Sequence, residues 1–580
     1  MPADLLQNPR ARAHQSLDGA WPIIVDPYES GRWGYQGGPA AQGYFLDRRA
    51  APGSDELVEY DFDASPRLQV PGDWNTQRVD LELYEGCVWY RRRFAATPAP
   101  GRRQLLRFEA VNERCWAWLN GEALGEHQGG FTPFEFEVTG RLRAGDNSLV
   151  LLVDNRRRRE GVPPLQTDWW NYGGITRSVL LLDLPSTFIR DYGVGLGTDG
   201  GVQAWAQLDG PASAGVAVAL ELPGLRAAAT AVTDASGRCQ LSLPPSPGLG
   251  LWSPASPRLH AVALASPEDR VEDAIALRSI QARGADILLN GEAVFLRGVS
   301  LHEEAPGPAG GRPRSPAEGA QLLAWAKELG CNFVRLAHYP HDESMVREAE
   351  RLGLMVWEEI PVYWTVAWED ADAQALAQAQ LQALIRRDRN RGAVILWSIG
   401  NETPPGEARL RFMAGLAATA RALDPSRLVT VALEQHGGER RVVEDPLGAH
   451  LDVLGLNEYI GWYDGPPERC RRTTFECAWD KPLIVSELGA DAKAGLHGGE
   501  AERWTEEYQA WVYREQLAML GRVPNLRGMA PWILKDFRSP RRPLPGIQDG
   551  WNRKGLLSEL GAKKLAWGVL QAHYRGLAGA

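Results

Sequence analysis

The stretch Val394-Ile-Leu-Trp-Ser-Ile-Gly-Asn-Glu-Thr403 is the strongest indication of how this chain folds. Its first six residues form an almost continuous apolar run, which is typical of a parallel strand buried on both faces. Gly400 ends the run, and Asn401 and Glu402 come directly after it. Because catalytic side chains of α/β barrels lie at the carboxyl ends of the strands, Glu402 is a candidate general acid or base. The alternative is that Glu402 is an ordinary glutamate at the edge of a loop. A second carboxylate at a matching position would favour the catalytic interpretation.

Apolar segments alternate with helical patterns from residue 280 onwards, which indicates parallel strands joined by helices. The segment Ser315-Pro-Ala-Glu318 has the features of a helix start, with an N-cap serine, a first-turn proline and a capping-box glutamate. Eight strands in about 300 residues are typical of a (β/α)8 TIM barrel. The eight predicted strands are 294–300, 332–338, 355–362, 394–400, 428–433, 453–457, 483–486 and 528–533.

The chain before the barrel is predicted to be all-β. Its first part contains many short alternating segments between turns, among them the hairpin signal Asn120-Gly121, and we predict a jelly-roll β-sandwich there. Such a domain is either a sugar-binding module or a scaffold. The second part alternates weakly between Pro- and Gly-rich turns, as an immunoglobulin-like sandwich does. The prediction is a multidomain β plus α/β protein with a jelly roll at 1–183, an immunoglobulin-like domain at 184–281 and a TIM barrel at 282–580.

Length and composition limit the classes of function. A chain of 580 residues is too long for one core, so several domains are expected. The net charge of -10 argues against a nucleic-acid partner, and no apolar run is long enough for a membrane span. The start of the chain has no apolar signal core, so we expect a cytoplasmic protein unless a leader was removed. The six cysteines are scattered, which favours buried thiols over disulfides or a zinc site.

The second carboxylate lies in the segment Lys481-Pro-Leu-Ile-Val-Ser-Glu487. Glu487 follows the apolar run of the seventh predicted strand, just as Glu402 follows that of the fourth. Two carboxylates that face each other across a barrel mouth are what cleavage of a glycosidic bond needs, since one protonates the leaving oxygen and the other attacks the anomeric carbon. The pair therefore favours a catalytic role for both glutamates.

Polar and aromatic side chains are found at the ends of several other predicted strands. Together they predict a pocket of hydrogen-bonding groups with an aromatic floor, which fits a carbohydrate, although each of them is equally compatible with a structural role. The spacing of His338 and His341 suggests a metal, but no third ligand is evident, so neither a metal nor a cofactor is predicted. The candidate binding residues at the strand ends are His302, His338, Asn457, Tyr459 and Trp532.

Two segments away from the strand ends are candidates for the same pocket. The polar and aromatic residues at 166–174 are poorly suited to a core and are typical of a loop. Asp168 in this loop could reach a pocket in a neighbouring domain. After the last strand, residues 535–554 carry six basic side chains against two acidic ones, a net charge of +4. This segment is either a solvated surface loop or a site for an anionic group such as the carboxylate of a uronic acid.

These motifs together resemble glycoside hydrolase family 2, and within it the β-glucuronidases, over nearly the whole chain. Asn401-Glu402 is similar to the acid/base signature of that family, and the segment from Ser486 through Glu487 is similar to its nucleophile segment. The sequences at 490–497 and 504–508 resemble the segment after the nucleophile in glucuronidases, which is more specific than the family signature.

The resemblance implies roles in a retaining, double-displacement reaction. Glu402 is expected to act as acid and then base, Glu487 as nucleophile, and Asn401 as a partner of the sugar 2-hydroxyl. Asp168 matches an aspartate that reaches the sugar from the jelly roll. An amide and an ammonium in an Asn-x-Lys motif hold the carboxylate, and both can donate to its oxygens. The further binding residues implied in this way are Tyr459, Tyr463, Asn552 and Lys554.

Two departures from the family pattern leave the substrate open. Gln548 stands where the family has an arginine shortly before the Asn-x-Lys motif, and the insertion at 538–545 is not typical of glucuronidases. We expect an exo-acting β-glucuronidase, with a β-galacturonidase or β-galactosidase of the same family as alternatives. A non-catalytic carbohydrate-binding protein is the alternative of a different class. The resemblance also implies a homodimer or homotetramer.

Overall fold

The structure is a computed structural model, and it describes residues 5–50, 53, 55, 58–435 and 437–579. In these residues, two β-sandwiches precede a barrel of parallel strands and helices, which confirms the predicted fold class. The predicted domain boundaries stay predictions.

The first sandwich consists of a six-stranded and a four-stranded sheet whose inner side chains pack on one another, with Trp21 and Tyr90 fully enclosed. The predicted hairpin is present, because Asn120 and Gly121 have positive φ angles of 55° and 85°, as a type I′ turn requires. In spatial order the six strands are Arg67–Val70, Gly19–Val25, Cys87–Ala96, Gly145–Asp154, Arg114–Leu119 and Glu122–Gln128, and the four are His14–Ser16, Val179–Pro185, Arg102–Phe108 and Phe134–Glu137.

The second sandwich has seven strands in two sheets and its own apolar core, as an immunoglobulin-like sandwich does. All six cysteines are free thiols, and all except the half-buried Cys477 are buried. One sheet consists of Phe188–Leu196, Val202–Asp209 and Arg238–Leu243, and the other of Ala227–Val232, Ala217–Leu222, His260–Ala265 and Arg270–Ile275. The short strands that lead into the barrel are Ile280–Arg283, Asp286–Leu289 and Glu292–Ala293.

The barrel closes through its first strand, which is predicted as one segment but is divided at Gly298. Leu296–Arg297 pairs with the last strand, and Ser300–Leu301 pairs with the second, so the parallel sheet has no free edge. The last strand ends at Met529 rather than at 533, because Pro531 has no N–H to continue a ladder. From the second to the eighth, the strands are Phe333–Leu336, Met355–Glu359, Val394–Asn401, Leu428–Glu434, Leu454–Asn457, Leu483–Glu487 and Leu526–Met529.

Helices cover the barrel from outside. The first helix begins at Pro316 as predicted, but the side chain of Ser315 makes no capping bond. Instead, Glu318 accepts from the backbone N–H of Arg314 at 2.7 Å. No helix of the described residues is both long and apolar enough to cross a bilayer. The helices are Pro316–Leu329, Glu343–Leu352, Ala371–Asp388, Glu407–Leu423, Glu506–Leu520 and Leu565–Gly579.

The first sandwich is docked against the barrel beside the carboxyl ends of the strands. Arg177 donates to Glu303 at 2.8 Å, and the hydroxyl of Tyr172 donates to Glu304 at 2.9 Å, both in buried surroundings. Buried charged hydrogen bonds of this kind hold a fixed geometry. They bring the loop at 166–174 to the mouth of the barrel.

Candidate active site

A cavity of about 280 Å³ lies at the carboxyl ends of the barrel strands. Barrel residues supply most of its wall, and Asp168 reaches into it from the loop of the first sandwich. None of its lining residues comes from the second sandwich in the part of the chain that the structure describes. The cavity thus lies where barrels of this kind carry their chemistry.

Glu402 lies one residue beyond the fourth barrel strand and has a φ of 47°, which is uncommon for a glutamate and typical of functional sites. Its Oε1 accepts from Nδ2 of Asn457 at 2.9 Å, and its Oε2 accepts from Nε1 of Trp364 at 2.8 Å. Burial raises the pKa of Glu402, and these two hydrogen bonds oppose the shift. Both donors are neutral, so Glu402 can keep a proton at higher pH than an exposed glutamate.

Glu487 is the last residue of the seventh barrel strand. Its Oε1 accepts from Nη1 of Arg335 at 2.8 Å, and its Oε2 accepts from the hydroxyl of Tyr459 at 2.6 Å. Burial raises the pKa of Glu487 to about 7, against the guanidinium of Arg335 and with the help of the negative charge of Glu402. One donor of Glu487 is therefore a permanent cation, whereas Glu402 has none.

Arg335 joins several barrel strands beneath the cavity. Its fully buried guanidinium donates to Glu487, to Oε1 of Glu359 at 2.9 Å and to Oδ1 of Asn401 at 2.7 Å. Despite burial, the charge of Arg335 lowers the pKa of Glu359 to about 2. The side-chain Nδ2 of Asn401 is buried and has no hydrogen-bond partner among the described residues.

One wall of the cavity is aromatic. Trp532 lines it and stacks on the ring of His338, with 4.7 Å between the ring centroids. His302 contacts the indole of Trp532 edge-on at 5.2 Å. Burial lowers the pKa of His338 to about 4 and that of His302 well below its usual value, so both rings are neutral supports at neutral pH. A flat indole of this kind packs on the apolar face of a sugar ring.

The cavity also has a cationic wall. Nζ of Lys554 lies 2.7 Å from Oδ2 of Asp491 and donates to the hydroxyl of Tyr463 at 2.9 Å. Burial lowers the pKa of Lys554, but Asp491, Tyr463 and Asp168 together outweigh it and the net shift is upward. The side chain of Asn552 lies beside it and accepts from the backbone N–H of Lys554 at 3.1 Å.

Asp168 has three donors from the segment after the last barrel strand. The hydroxyl of Ser539 donates to its Oδ1 at 2.6 Å, Nδ2 of Asn552 donates to its Oδ2 at 3.1 Å, and the guanidinium of Arg542 pairs with both oxygens. The jelly-roll loop and the basic segment are thus joined directly at the cavity.

Nine of the twelve residues that the sequence predicts for the site line the cavity. The side chains of His302, His338 and Asn401 lie behind it, where they contact Trp532, Glu359 and Arg335. Their predicted contacts with substrate stay predictions. The nine lining residues are Asp168, Glu402, Asn457, Tyr459, Tyr463, Glu487, Trp532, Asn552 and Lys554.

Among the site residues that the sequence analysis does not single out, Arg335, Trp364 and Arg542 hold Glu487, Glu402 and Asp168. In the sequence, Arg335 stands out only because it interrupts the apolar run of the second strand. Trp364 lies after the third strand, but nothing in the pattern connects it to Glu402. Arg542 is one of several arginines in the basic segment, and its position on the cavity wall depends on the fold alone.

A closed α/β barrel with two buried carboxyl groups at strand ends, on one polar and aromatic cavity, is the arrangement that a glycoside hydrolase needs. The model for the TIM-barrel domain of glycosyl hydrolases family 2 matches residues 280–551, and the model for the sugar-binding domain of that family matches residues 37–185. Together the two models match more than half of the chain. The chain belongs to glycosyl hydrolase family 2.

Proteins named β-glucuronidase are among its relatives. The β-glucuronidase of Canis lupus familiaris is 28% identical over 98% of this chain and 91% of its own. A solved β-glucuronidase from an uncultured Clostridium sp. has a TM-score of 0.83 and 25% identity and covers 99% of both chains. A β-galacturonidase from Eisenbergiella tayi bound to galacturonate has a TM-score of 0.81 at 24% identity, over 98% of both chains, and shows the shared fold.

Proposed function

We propose that this protein is a retaining, exo-acting β-glycosidase that hydrolyses terminal β-D-glucuronides by double displacement. The observation that carries the proposal is the presence of Glu402 and Glu487 on one buried cavity with Lys554. The β-glucuronidases among its relatives support glucuronide as the sugar.

In the first step, the carboxylate of Glu487 attacks the anomeric carbon while Glu402 gives its proton to the leaving oxygen. Arg335 and Tyr459 orient Glu487 and favour its charged form. Glu402 has only neutral donors, and burial raises its pKa, which favours its protonated form relative to an exposed glutamate. The permanent cation beside Glu487 and the neutral donors of Glu402 support these two roles.

In the second step, water attacks the anomeric carbon of the glycosyl-enzyme ester, and Glu487 leaves as a carboxylate. Glu402 takes the proton from that water, which returns the site to its starting state. Asn457 and Trp364 fix both oxygens of Glu402, so one carboxyl group can serve in both steps.

The substrate carboxylate is assigned to the wall formed by Lys554 and Asn552. The ammonium supplies charge, and the amide supplies a directional donor. Trp532 supplies a flat apolar surface for the ring. A neutral glycoside would leave the cation without a counter-charge from the sugar.

Replacing each carboxyl by its amide tests the proposal. Glu402→Gln and Glu487→Gln should each lower kcat for 4-nitrophenyl β-D-glucuronide at least about a hundredfold, because each removes a group of the reaction. Glu439→Gln is the matched control, since this exposed carboxylate pairs with Arg472 and does not line the cavity. Wild-type activity in either Glu402→Gln or Glu487→Gln rejects the proposal.

The stereochemistry of the first product tests retention. Proton NMR during hydrolysis should show the β-anomer of glucuronic acid before mutarotation. If the α-anomer forms first, the reaction inverts, and Glu487 acts on water rather than on the sugar.

A β-galacturonidase is the second candidate, because Gln548 stands where the resembling glucuronidases have an arginine. Aryl β-glucuronide, β-galacturonide and β-galactoside should be compared at equal concentrations. Fastest turnover of the galacturonide would replace glucuronide in the proposal, and fastest turnover of the galactoside would reject a uronic acid substrate. Binding without hydrolysis of all three would favour a non-catalytic carbohydrate-binding protein.

A further inference from the structure

The insertion after the last barrel strand is an ordered hairpin. Phe537–Arg538 pairs with Trp551–Asn552, and residues 539–550 connect them. The backbone N–H of Ser539 donates to Gly550 at 2.9 Å, and that of Gly550 donates to Arg542 at 2.8 Å. These bonds give Arg542 a defined backbone position beside the cavity.

Arg538 fastens the hairpin to the first sandwich. Its guanidinium donates to Glu82 at 2.6 Å and lies 4.4 Å from the ring centroid of Trp170. Its backbone carbonyl accepts from the N–H of Trp170 at 3.1 Å. The hairpin therefore cannot move away from the cavity without breaking contacts between domains.

Arg542 lines the cavity together with Lys554. Its Nε and Nη2 donate to Asp168, while its Nη1 has no hydrogen-bond partner among the described residues. An arginine has five N–H groups in a planar fork, so pairing with Asp168 leaves donors for a second carboxylate.

Gln548 does not line the cavity. Its side chain is buried in the hairpin, where its backbone N–H donates to Leu544 at 2.9 Å and its Oε1 accepts from the backbone of Leu544 at 3.4 Å. The glucuronidases that this chain resembles have an arginine at this position. In this chain, Gln548 stabilises the hairpin instead.

The charges of the cavity favour two cations for the binding of an anionic substrate. Lys554 is paired with Asp491 and Arg542 with Asp168, so both cations are partly compensated before substrate binds. No other cation of the described residues lies on the cavity wall. Carboxylates on this wall repel a bound uronate, even though Asp464 and Glu487 already pair with arginines, and two cations offset that repulsion better than one. The carboxylates on this wall are Asp168, Glu402, Glu434, Asp464 and Glu487.

We infer that Arg542 binds the substrate's uronic acid carboxylate alongside Lys554 and so determines specificity for uronides, an inference that rests on the proposed function. In this chain the guanidinium for the substrate carboxylate is that of Arg542 in the inserted hairpin, because position 548 is a glutamine. Asp168 keeps it in place when no substrate is bound, and Ser539 and Asn552 continue to hold Asp168 when the sugar arrives.

Two substrates that differ only at the carboxylate test the inference. In 4-nitrophenyl β-D-glucoside a hydroxymethyl group replaces the carboxylate of the glucuronide. Arg542→Gln should lower kcat/KM for the glucuronide about 10- to 100-fold more than for the glucoside, as expected for a lost charged hydrogen bond. Arg542→Lys should retain part of the wild-type preference for glucuronide over glucoside, measured as the ratio of the two kcat/KM values. Arg541→Gln is the matched control, because this neighbouring arginine is exposed and should leave the ratio at the wild-type value.

A purely structural role for Arg542 gives a different result. If it only anchors Asp168, Arg542→Gln and Asp168→Asn will lower kcat/KM for both substrates equally, and the double variant will be no worse than either single one. If it binds the carboxylate, the selective loss for glucuronide will persist when Arg542→Gln is added to Asp168→Asn. Arg542→Lys, which keeps the ion pair, gives the same comparison if Arg542→Gln does not fold.

The wild-type protein separates this inference from the proposed function. Hydrolysis of glucuronide by the wild type together with equal losses for both substrates in Arg542→Gln rejects the inference alone. Absence of glucuronide and galacturonide hydrolysis by the wild type rejects the proposed function and the inference with it.

Discussion

The guanidinium of Arg335 donates to Glu487 at 2.8 Å and to Glu359 at 2.9 Å, and all three side chains are buried. One cation thus serves two carboxylates, of which only Glu487 lines the cavity. Glu359 in turn lies 2.9 Å from Nδ1 of His338, which supports Trp532. The proposed nucleophile and the aromatic wall are therefore positioned by the same buried group.

Arg335→Gln should lower kcat about a hundredfold or more and shift the acid limb of the pH profile of kcat/KM to higher pH. The reason is that burial raises the pKa of Glu487 and the charge of Arg335 holds it down. The variant should also lose about 3–5 kcal/mol of unfolding free energy, because two buried carboxylates lose their cation.

Glu359→Gln is the control for Arg335, since it disturbs the same cluster but keeps the bond to Glu487. It should change stability with little movement of the acid limb. An acid limb that stays in place in Arg335→Gln contradicts the positioning role.

The pH dependence of kcat/KM should be bell-shaped. Burial raises the pKa of Glu487 to about 7, and since the nucleophile has to be ionised, activity should fall as the pH drops below that value. Burial also raises the pKa of Glu402, which has to be protonated, so activity should fall again on the alkaline side. Initial rates across pH 4–10 measure both limbs of the profile. The apparent pKa values obtained in this way describe Glu402 and Glu487 together rather than either residue alone. A profile without an acid limb above about pH 5 contradicts the raised pKa.

Glu487 should also make stability depend on pH. Its pKa is raised by burial to about 7 in the folded state, against about 4.3 in an unfolded chain. The folded state then binds more protons between these values, so this contribution is fully present below about pH 4 and is lost as the pH rises through 7.

Glu487→Gln removes that titration. Relative to wild type, its free energy of unfolding should rise by about 3 kcal/mol between pH 4.5 and 7.5. Urea unfolding at both pH values measures the difference, and an identical change in Glu439→Gln would show that the effect is not local.

Lys554 should select uronides, but its removal also leaves Asp491 buried without its cation. Lys554→Met should therefore lower stability by about 3–5 kcal/mol, as for other broken buried ion pairs, and lower kcat/KM for glucuronide more than for galactoside. The double variant with Asp491→Asn should regain stability without regaining glucuronide selectivity.

Lys493→Met is the control for Lys554, since this lysine donates to Gly546 of the hairpin from an exposed position. Equal losses on glucuronide and galactoside in Lys554→Met reject the carboxylate role of Lys554.

The sequence predicts the barrel well because strands buried on both faces leave continuous apolar runs, and Glu402 and Glu487 stand at the ends of two of them. It does not reveal Arg335, because a buried cation inside an apolar run has no periodic signature and its partners lie on other strands. The division of the first strand at Gly298 depends on two neighbours that meet only when the barrel closes. The predicted capping pair of Ser315 and Glu318 does not form, and Glu318 accepts from the backbone N–H of Arg314 instead.

The contact between Asp168 and Arg542 joins positions 374 residues apart in the chain. A contact of such long sequence separation forms late, because the loop entropy of the intervening chain has to be overcome first. Refolded molecules should therefore regain helical circular dichroism before they regain turnover. During synthesis, the cavity stays incomplete until the hairpin after the last barrel strand has emerged, so turnover reports completed assembly of the first sandwich on the barrel.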